Sequence, residues 1–203
     1  VTELMNRGSI TLVARPKTIS DERILDACGA VITANGPGFT LAEVAERAGV
    51  SVGTVAQRFG SKLGLLRALS RQAIGQAVDE MRAAAEHATD PVAAVREAAV
   101  AAYSGLGDAE EAANNLGVLA IDLADPELRA LLGDHYAARE NELRALLRAA
   151  AGELPHAPSP AVAARVLHGL VGGISMDWSV RPHGTLADRL RQDVDAVLDG
   201  WRR

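Results

Sequence analysis

Aromatic residues are scarce in this 203-residue chain: two Phe, two Tyr and two Trp make up 3% of it, although 48% of its residues are apolar. With few of the ring side chains that favour pleated sheet, and with Ala and Leu abundant, the expected fold class is all-α. Cysteine occurs once, at Cys28, which excludes an intrachain disulfide and fits a reducing compartment. Cys28 falls among Ile24, Leu25, Val31 and Ile32. A buried structural thiol is therefore expected rather than a redox sensor, which needs exposure and basic neighbours. No apolar run is long enough to span a bilayer and no basic-then-apolar leader precedes a cleavage site. No membrane contact is expected, and the cytoplasm is the expected location. The five histidines are scattered without metal-ligand spacing. His135 and Arg139 share a helix face, but no carboxylate and cysteine pair completes a site. Neither a metal, a cofactor nor catalysis is expected.

The net charge of -5 argues against a nucleic-acid partner until its distribution is read. Residues 1–72 hold nine Lys/Arg against six Asp/Glu, leaving twelve against twenty for the remainder. The chain thus has a basic end and an acidic body, and electrostatic binding to phosphates requires the former.

That basic end contains residues 40–59, TLAEVAERAGVSVGTVAQRF. Thr40 and Glu43 form a capping box, with Phe39 and Val44 placed for a hydrophobic staple. Leu41, Val44, Ala45 and Ala48 recur at helical spacing, Gly49 supplies a left-handed stop, and Ser51 caps a second short helix. In that helix Val55 and Phe59 face inward, so Gly53, Thr54 and Gln57 face outward, flanked by Ala56 and Arg58. A glycine near a helix start suits a backbone that approaches a phosphate closely. Ser61 caps a further helix and aims Lys62 toward the same side. On spacing alone, an ordinary helical hairpin within a bundle remains an alternative to a helix-turn-helix.

Residues 21–73 resemble the DNA-binding domain of the TetR family of transcriptional regulators. The resemblance is carried by Arg23-Ile24-Leu25-Asp26-Ala27, Phe39-Thr40-Leu41-Ala42-Glu43-Val44-Ala45, Ala48-Gly49-Val50-Ser51, Gly53-Thr54, Phe59, Ser61-Lys62 and Leu65-Leu66. It implies a helical homodimer that binds a double-stranded DNA operator and is released by a small molecule. Two departures bear on DNA contact. Val52 stands where many relatives carry a basic residue, and Ala56 where many carry a phosphate-gripping tyrosine.

The remaining signals are helix openings. Ser20 caps a first helix with an acidic first turn, ended by Asn35-Gly36-Pro37-Gly38. A long helix runs from Ser61 to about His87, with Leu65, Leu66, Leu69, Ala73, Ala77 and Met81 as its stripe. Asp90-Pro91 and Asp125-Pro126 place caps before prolines, opening helices to about Leu106 and Ala151. Between them, residues 108–124 read as a helical stretch broken by Asn114, Asn115 and Gly117. Ser159-Pro160 opens a helix to about Val180, and Thr185 with Asp188 opens the last. Three regions are expected: a flexible arm over residues 1–19, a DNA-binding domain over 20–72, and an effector-binding and dimerisation domain over 73–203. The arm, with Arg15 and Lys17, is either a phosphate-tracking segment or a solvated tail. Leu186, Leu190, Val194, Val197, Leu198 and Trp201 stripe the last helix, and Leu170, Ile174 and Trp178 the one before it, beside Gly169, Gly172 and Gly173. Two-fold pairing through these helices is expected, with internal packing as the alternative.

A DNA-binding transcriptional regulator follows, expected to be a repressor released by an effector of unknown identity. The alternative is a constitutive architectural DNA binder without an effector. Gln57 and Arg58 are the candidate base readers, Thr40, Thr54 and Lys62 the candidate phosphate contacts, and Ser51, Val52, Gly53 and Ala56 complete the DNA-facing set. Candidate effector residues are Tyr103, Asn115, His135, Tyr136, Met176, Asp177 and Trp178, the large or polar groups set among apolar neighbours.

Overall fold

A computed structural model describes residues 19–101, 103 and 106–203. The expected N-terminal arm lies outside the described residues apart from Ile19. Nine α-helices and no strand occur among them: α1 (Asp21–Asn35), α2 (Leu41–Ala48), α3 (Val52–Phe59), α4 (Lys62–Glu86), α5 (Pro91–Ala101), α6 (Ala109–Ala124), α7 (Pro126–Ala149), α8 (Pro160–Val180) and α9 (Leu186–Arg202). A single 3-10 turn, Gly36–Gly38, follows α1. No helix among the described residues is long and apolar enough to cross a membrane.

The starts follow the side-chain chemistry. Ser20 Oγ accepts from the Arg23 amide, Asp90 from Ala93, Asp108 from Glu111, Asp125 from Glu127 and Leu128, and Thr185 from Asp188. Each satisfies amides that a helix start leaves without partners.

Two cores form. The first joins Ile24, Cys28 and Ile32 of α1 to Phe39, Val44, Ala48, Val55, Leu65 and Leu66, and it also takes in Val118 of α6 and Leu128 of α7. The second joins Met81 of α4 to α5, α7, α8 and α9. α4 is therefore shared, its first turns in one core and its later turns in the other.

Three expectations change. α5 stops at Ala101 rather than near Leu106, and the Tyr103 amide turns back onto the Val100 carbonyl at 3.0 Å. α6 is unbroken through Asn114, Asn115 and Gly117. Tertiary partners outweigh the weak helical preference of these residues: Asn114 Nδ2 donates to the carbonyls of Thr33 and Ala34, Asn115 Nδ2 to the Thr33 hydroxyl at 3.4 Å, and a Cβ on Gly117 would stand 2.9 Å from Pro37 Cδ. The asparagines and the glycine are the seat of α6 against the end of α1. Finally, the stripes on α8 and α9 are spent inside the protomer. Leu186, Leu190, Val194 and Leu198 of α9 and Ile174 and Trp178 of α8 are all buried in the second core.

Cys28 is fully buried, and burial pushes its thiol up to about 12. It is protonated at neutral pH and inert as a nucleophile. A thiol reagent at neutral pH is expected to leave the native protein unlabelled and to label one site per chain in denaturant; labelling of the folded protein would contradict this burial.

Candidate nucleic-acid interface

Thr40 and Glu43 fix the start of α2. Thr40 Oγ1 accepts from the Glu43 amide at 3.3 Å, while Glu43 Oε2 takes the Thr40 amide at 2.6 Å and its hydroxyl at 2.8 Å. The Glu43 Oε1 atom also receives Asn35 Nδ2 at 2.8 Å, tying the end of α1 to the start of α2. These donors hold the Glu43 carboxyl below the usual carboxylate range, the Thr40 hydroxyl foremost. At the other end Gly49 adopts φ 72°, ψ 35°, and its amide and that of Val50 bond back to α2. Ser51 then caps α3: its Oγ accepts from the Thr54 amide at 3.1 Å and lies 2.9 Å from Thr54 Oγ1.

Val55 is completely buried and Phe59 packs against the same core, so the opposite face of α3 turns outward. Val52, Gly53 and Gln57 are exposed on it, with Thr54 and Ala56 half-buried at its margins. Gln57 is the long polar side chain of this face and has no hydrogen-bond partner among the described residues. The two cations are already engaged. Arg58 Nη1 donates to the Ile19 carbonyl at 2.5 Å and to Asp21 Oδ1 at 2.9 Å. Lys62 Nζ donates to the carbonyls of Pro37 at 2.7 Å and Phe39 at 2.6 Å and stands 4.2 Å from the Phe39 ring centroid. Both brace α3 and α4 against the chain preceding α1 and α2. They are not wholly consumed, because an ammonium carries three donors and a guanidinium five.

Gly64 is a contributor that motif spacing does not single out. It lies three residues after the capping Ser61, which accepts from its amide, and a Cβ built there would sit 1.9 Å from the Phe59 carbonyl oxygen. The backbone leaving α3 thus crosses directly over the first turn of α4. The signal available in sequence was the Ser-x-x-Gly spacing, which on its own reads as an unremarkable helix start.

The expected effector residues are dispersed. Asn115 and His135 line one cavity of about 310 Å³ between α1, α4, α6 and α7, together with Ile32, Leu66, Leu69, Val118, Asp122, Leu131 and Leu132. Burial raises the Asp122 carboxyl and lowers the His135 imidazole to about 4, with Arg139 and His168 adding to the latter effect, so His135 is neutral at pH 7. Tyr136 meets His168 edge-on at 4.7 Å, and the Tyr103 ring faces Arg139. Met176 is 53% exposed on the outer side of α8, Asp177 is ion-paired with Arg181, and the buried Trp178 donates its Nε1 to the Gly184 carbonyl at 3.3 Å. These three stand apart from the cavity. Among the described residues no group of three or more His, Cys, Asp or Glu could hold a metal ion.

The model for bacterial regulatory proteins of the tetR family matches residues 24–69, and that for the C-terminal region of BetI-type transcriptional repressors matches residues 91–202. No curated protein matches the sequence. Solved structures share the fold. A transcriptional regulator from Rhodococcus sp. Rha1 is 24% identical, with 91% of this chain and 98% of that one covered and a TM-score of 0.71. A putative transcriptional regulator from Pseudomonas aeruginosa PAO1 is 21% identical, with 89% and 88% covered and a TM-score of 0.69. FadR from Bacillus subtilis, solved in complex with stearoyl-CoA, is 22% identical, with 88% and 97% covered and a TM-score of 0.69.

The crossing at Gly64 is open to direct measurement. Gly64→Ala is expected to cost about 1–3 kcal/mol or more in stability by forcing the Phe59 carbonyl aside, read from denaturant unfolding. Unchanged stability would contradict the crossing, whereas Gly75→Ala, where a Cβ meets open space, serves as the harmless control.

Proposed function

The chain belongs to the tetR family of bacterial regulatory proteins and is a DNA-binding transcriptional regulator, and from that premise we propose that it is a repressor, released from its operator by a small-molecule effector and acting as a homodimer. The observation that carries this reading is the outward face of α3. It presents Gln57 for paired hydrogen bonds to adenine and the apolar Val52 for a thymine methyl, with Gly53 allowing close approach to the phosphates. Thr40 and Thr54 position the duplex backbone. Lys62 offers it the ammonium donor that the Pro37 and Phe39 carbonyls leave over, and Arg58 flanks the bases while bracing α3.

Pairing has its own support. Val162, Val166, Gly169, Gly173, Met176 and Val180 lie on the solvent side of α8, and the four with apolar side chains are 36% to 75% exposed. Their spacing alternates between four and three residues, the repeat of a helix seam that meets another helix. Glycines in the middle of that seam permit close contact. In this reading the surface of α8 and the outer side of α9 join two protomers, so that two α3 helices reach successive major grooves about 34–36 Å apart.

Release requires a ligand that prefers one arrangement of the body over another. The cavity touches α1, α4, α6 and α7 at once, so a molecule filling it bears on the helix that carries the reading head. A constitutive architectural binder has no use for such a cavity. The stearoyl-CoA bound by FadR from Bacillus subtilis supports the expectation of a ligand in the body.

The test begins by selecting a preferred duplex from a random library, then titrates it and a scrambled duplex at several salt concentrations. Gln57→Ala is expected to lose about 1–3 kcal/mol at particular base pairs without changing stability, whereas Lys62→Ala weakens both duplexes alike and flattens the salt dependence. Equal binding of selected and scrambled duplexes by the parent protein would overturn the reading.

A further inference from the structure

Arg139 is 4% exposed, yet its guanidinium has neither a hydrogen bond nor an ion pair among the described residues. Its recorded contact is the Tyr103 ring, with the guanidinium carbon 4.6 Å from the centroid. Arginine does not shed its proton in proteins, so burial is not relieved by neutralisation, and an aromatic face replaces only part of the lost hydration. Neither nearby carboxylate, Glu140 beside it on α7 nor Asp122 on α6, forms an ion pair with it, although Glu140 acts on His168 and Asp122 on Tyr136 through space. His135 precedes Arg139 by one turn on the same face of α7, and burial and the nearby guanidinium both lower its imidazole. His168 on α8 is lowered first by burial and then by Arg139, with Glu140 opposing both. A second polar group there also lacks a partner: His168 Nδ1 is buried and unbonded, while the His168 ring stands 4.7 Å from that of Tyr136. Two polar groups on facing helices, a fixed cation and an imidazole nitrogen, are thus left without a hydrogen-bond partner among the described residues.

We propose that Arg139 is the anchor of the effector site and that the effector is a small organic carboxylate. Its acid group pairs with the Arg139 guanidinium, with the Nδ1–H tautomer of His168 donating alongside, while its apolar part faces the Tyr103 and Tyr136 rings. One buried cation balances one negative charge, which selects a monoanion over a phosphate ester. Asp122 on the cavity wall disfavours an anion beside it, whereas His135, on the same wall, stands one turn of α7 from Arg139. The inference rests on the effector-released reading above, and its test is arranged so that the two can fail separately.

The 203-residue chain is titrated with octanoate and benzoate as probes, with octanamide, benzamide and octylamine as controls, followed by thermal unfolding and calorimetry. Both carboxylates are expected to raise Tm saturably and the amides and amine to leave it unchanged. Arg139→Met is expected to weaken carboxylate binding by about 30-fold or more. Its Tm without ligand is expected to be no lower than that of the parent, because removing an unpaired buried charge strands no partner. Arg139→Lys keeps the charge, folds without the cost of a new cavity, and is expected to retain the preference for carboxylate over amide at lower affinity. The proposal is overturned if carboxylates and amides behave alike, if neither carboxylate binds, or if Arg139→Lys loses the preference. It is equally overturned if Arg139→Met folds with a Tm several degrees below the parent, the mark of a structural arginine. Fluorescence anisotropy of the selected duplex separates the readings. Carboxylate binding that leaves the duplex bound keeps the anion site and removes effector release. Duplex release by octylamine or an amide keeps effector release and removes the anion site.

Discussion

One helix with an end in each of two cores governs the whole arrangement. α4 spans 25 residues, about 37 Å at the rise of an α-helix. Leu65 and Leu66 pack with the helix-turn-helix, whereas Met81 packs with the body. Because cores are close-packed, neither end slides freely in its seat. The reading head therefore cannot change orientation without α4 tilting, and α4 cannot tilt without the body repacking.

The polar contacts around α4 reinforce this. Arg67 bridges to Asp125 at 2.8 Å and to Glu127 at 3.1 Å, and Arg71 also pairs with Glu127. Asp125 is at the same time the cap of α7, so one carboxylate serves the helix start and the α4 contact together. α6 is seated through Asn114 on the carbonyls at the end of α1. The cavity lies inside this frame of α1, α4, α6 and α7. On the effector-released reading proposed above, a molecule occupying it contacts α1 and α4, through which the coupling between the two sites would run.

Local signals made much of this legible in the sequence. The Thr40 and Glu43 box, the Gly49 stop and the Ser51 cap act over three or four residues, and each appears where its residue types place it. Non-local causes were not legible. Asn114, Asn115 and Gly117 read as helix breakers because their partners, Thr33, Ala34 and Pro37, lie about eighty residues earlier. The strong stripe of α9 reads equally well as a dimer face or an internal face, since periodicity fixes a direction and not a neighbour. The seam exposed on α8 is weaker in sequence than the buried one, because glycines fill two of its six positions. Arg58 and Lys62 read as a candidate base reader and a candidate phosphate contact, and only the fold reveals the carbonyls and the carboxylate that hold them. Arg139 gave no signal beyond sharing a face with His135; what marks it is the lack of a partner.

The claim that the reading head and body move as one through α4 is tested most directly by a distance distribution. Cys28→Ala protein carrying spin labels at two introduced cysteines, Glu46→Cys on α2 and Arg148→Cys on α7, is diluted with unlabelled chain and measured by double electron–electron resonance. The account predicts a single narrow distribution in the absence of DNA. A broad distribution, as from a head hinged freely on its body, would contradict it.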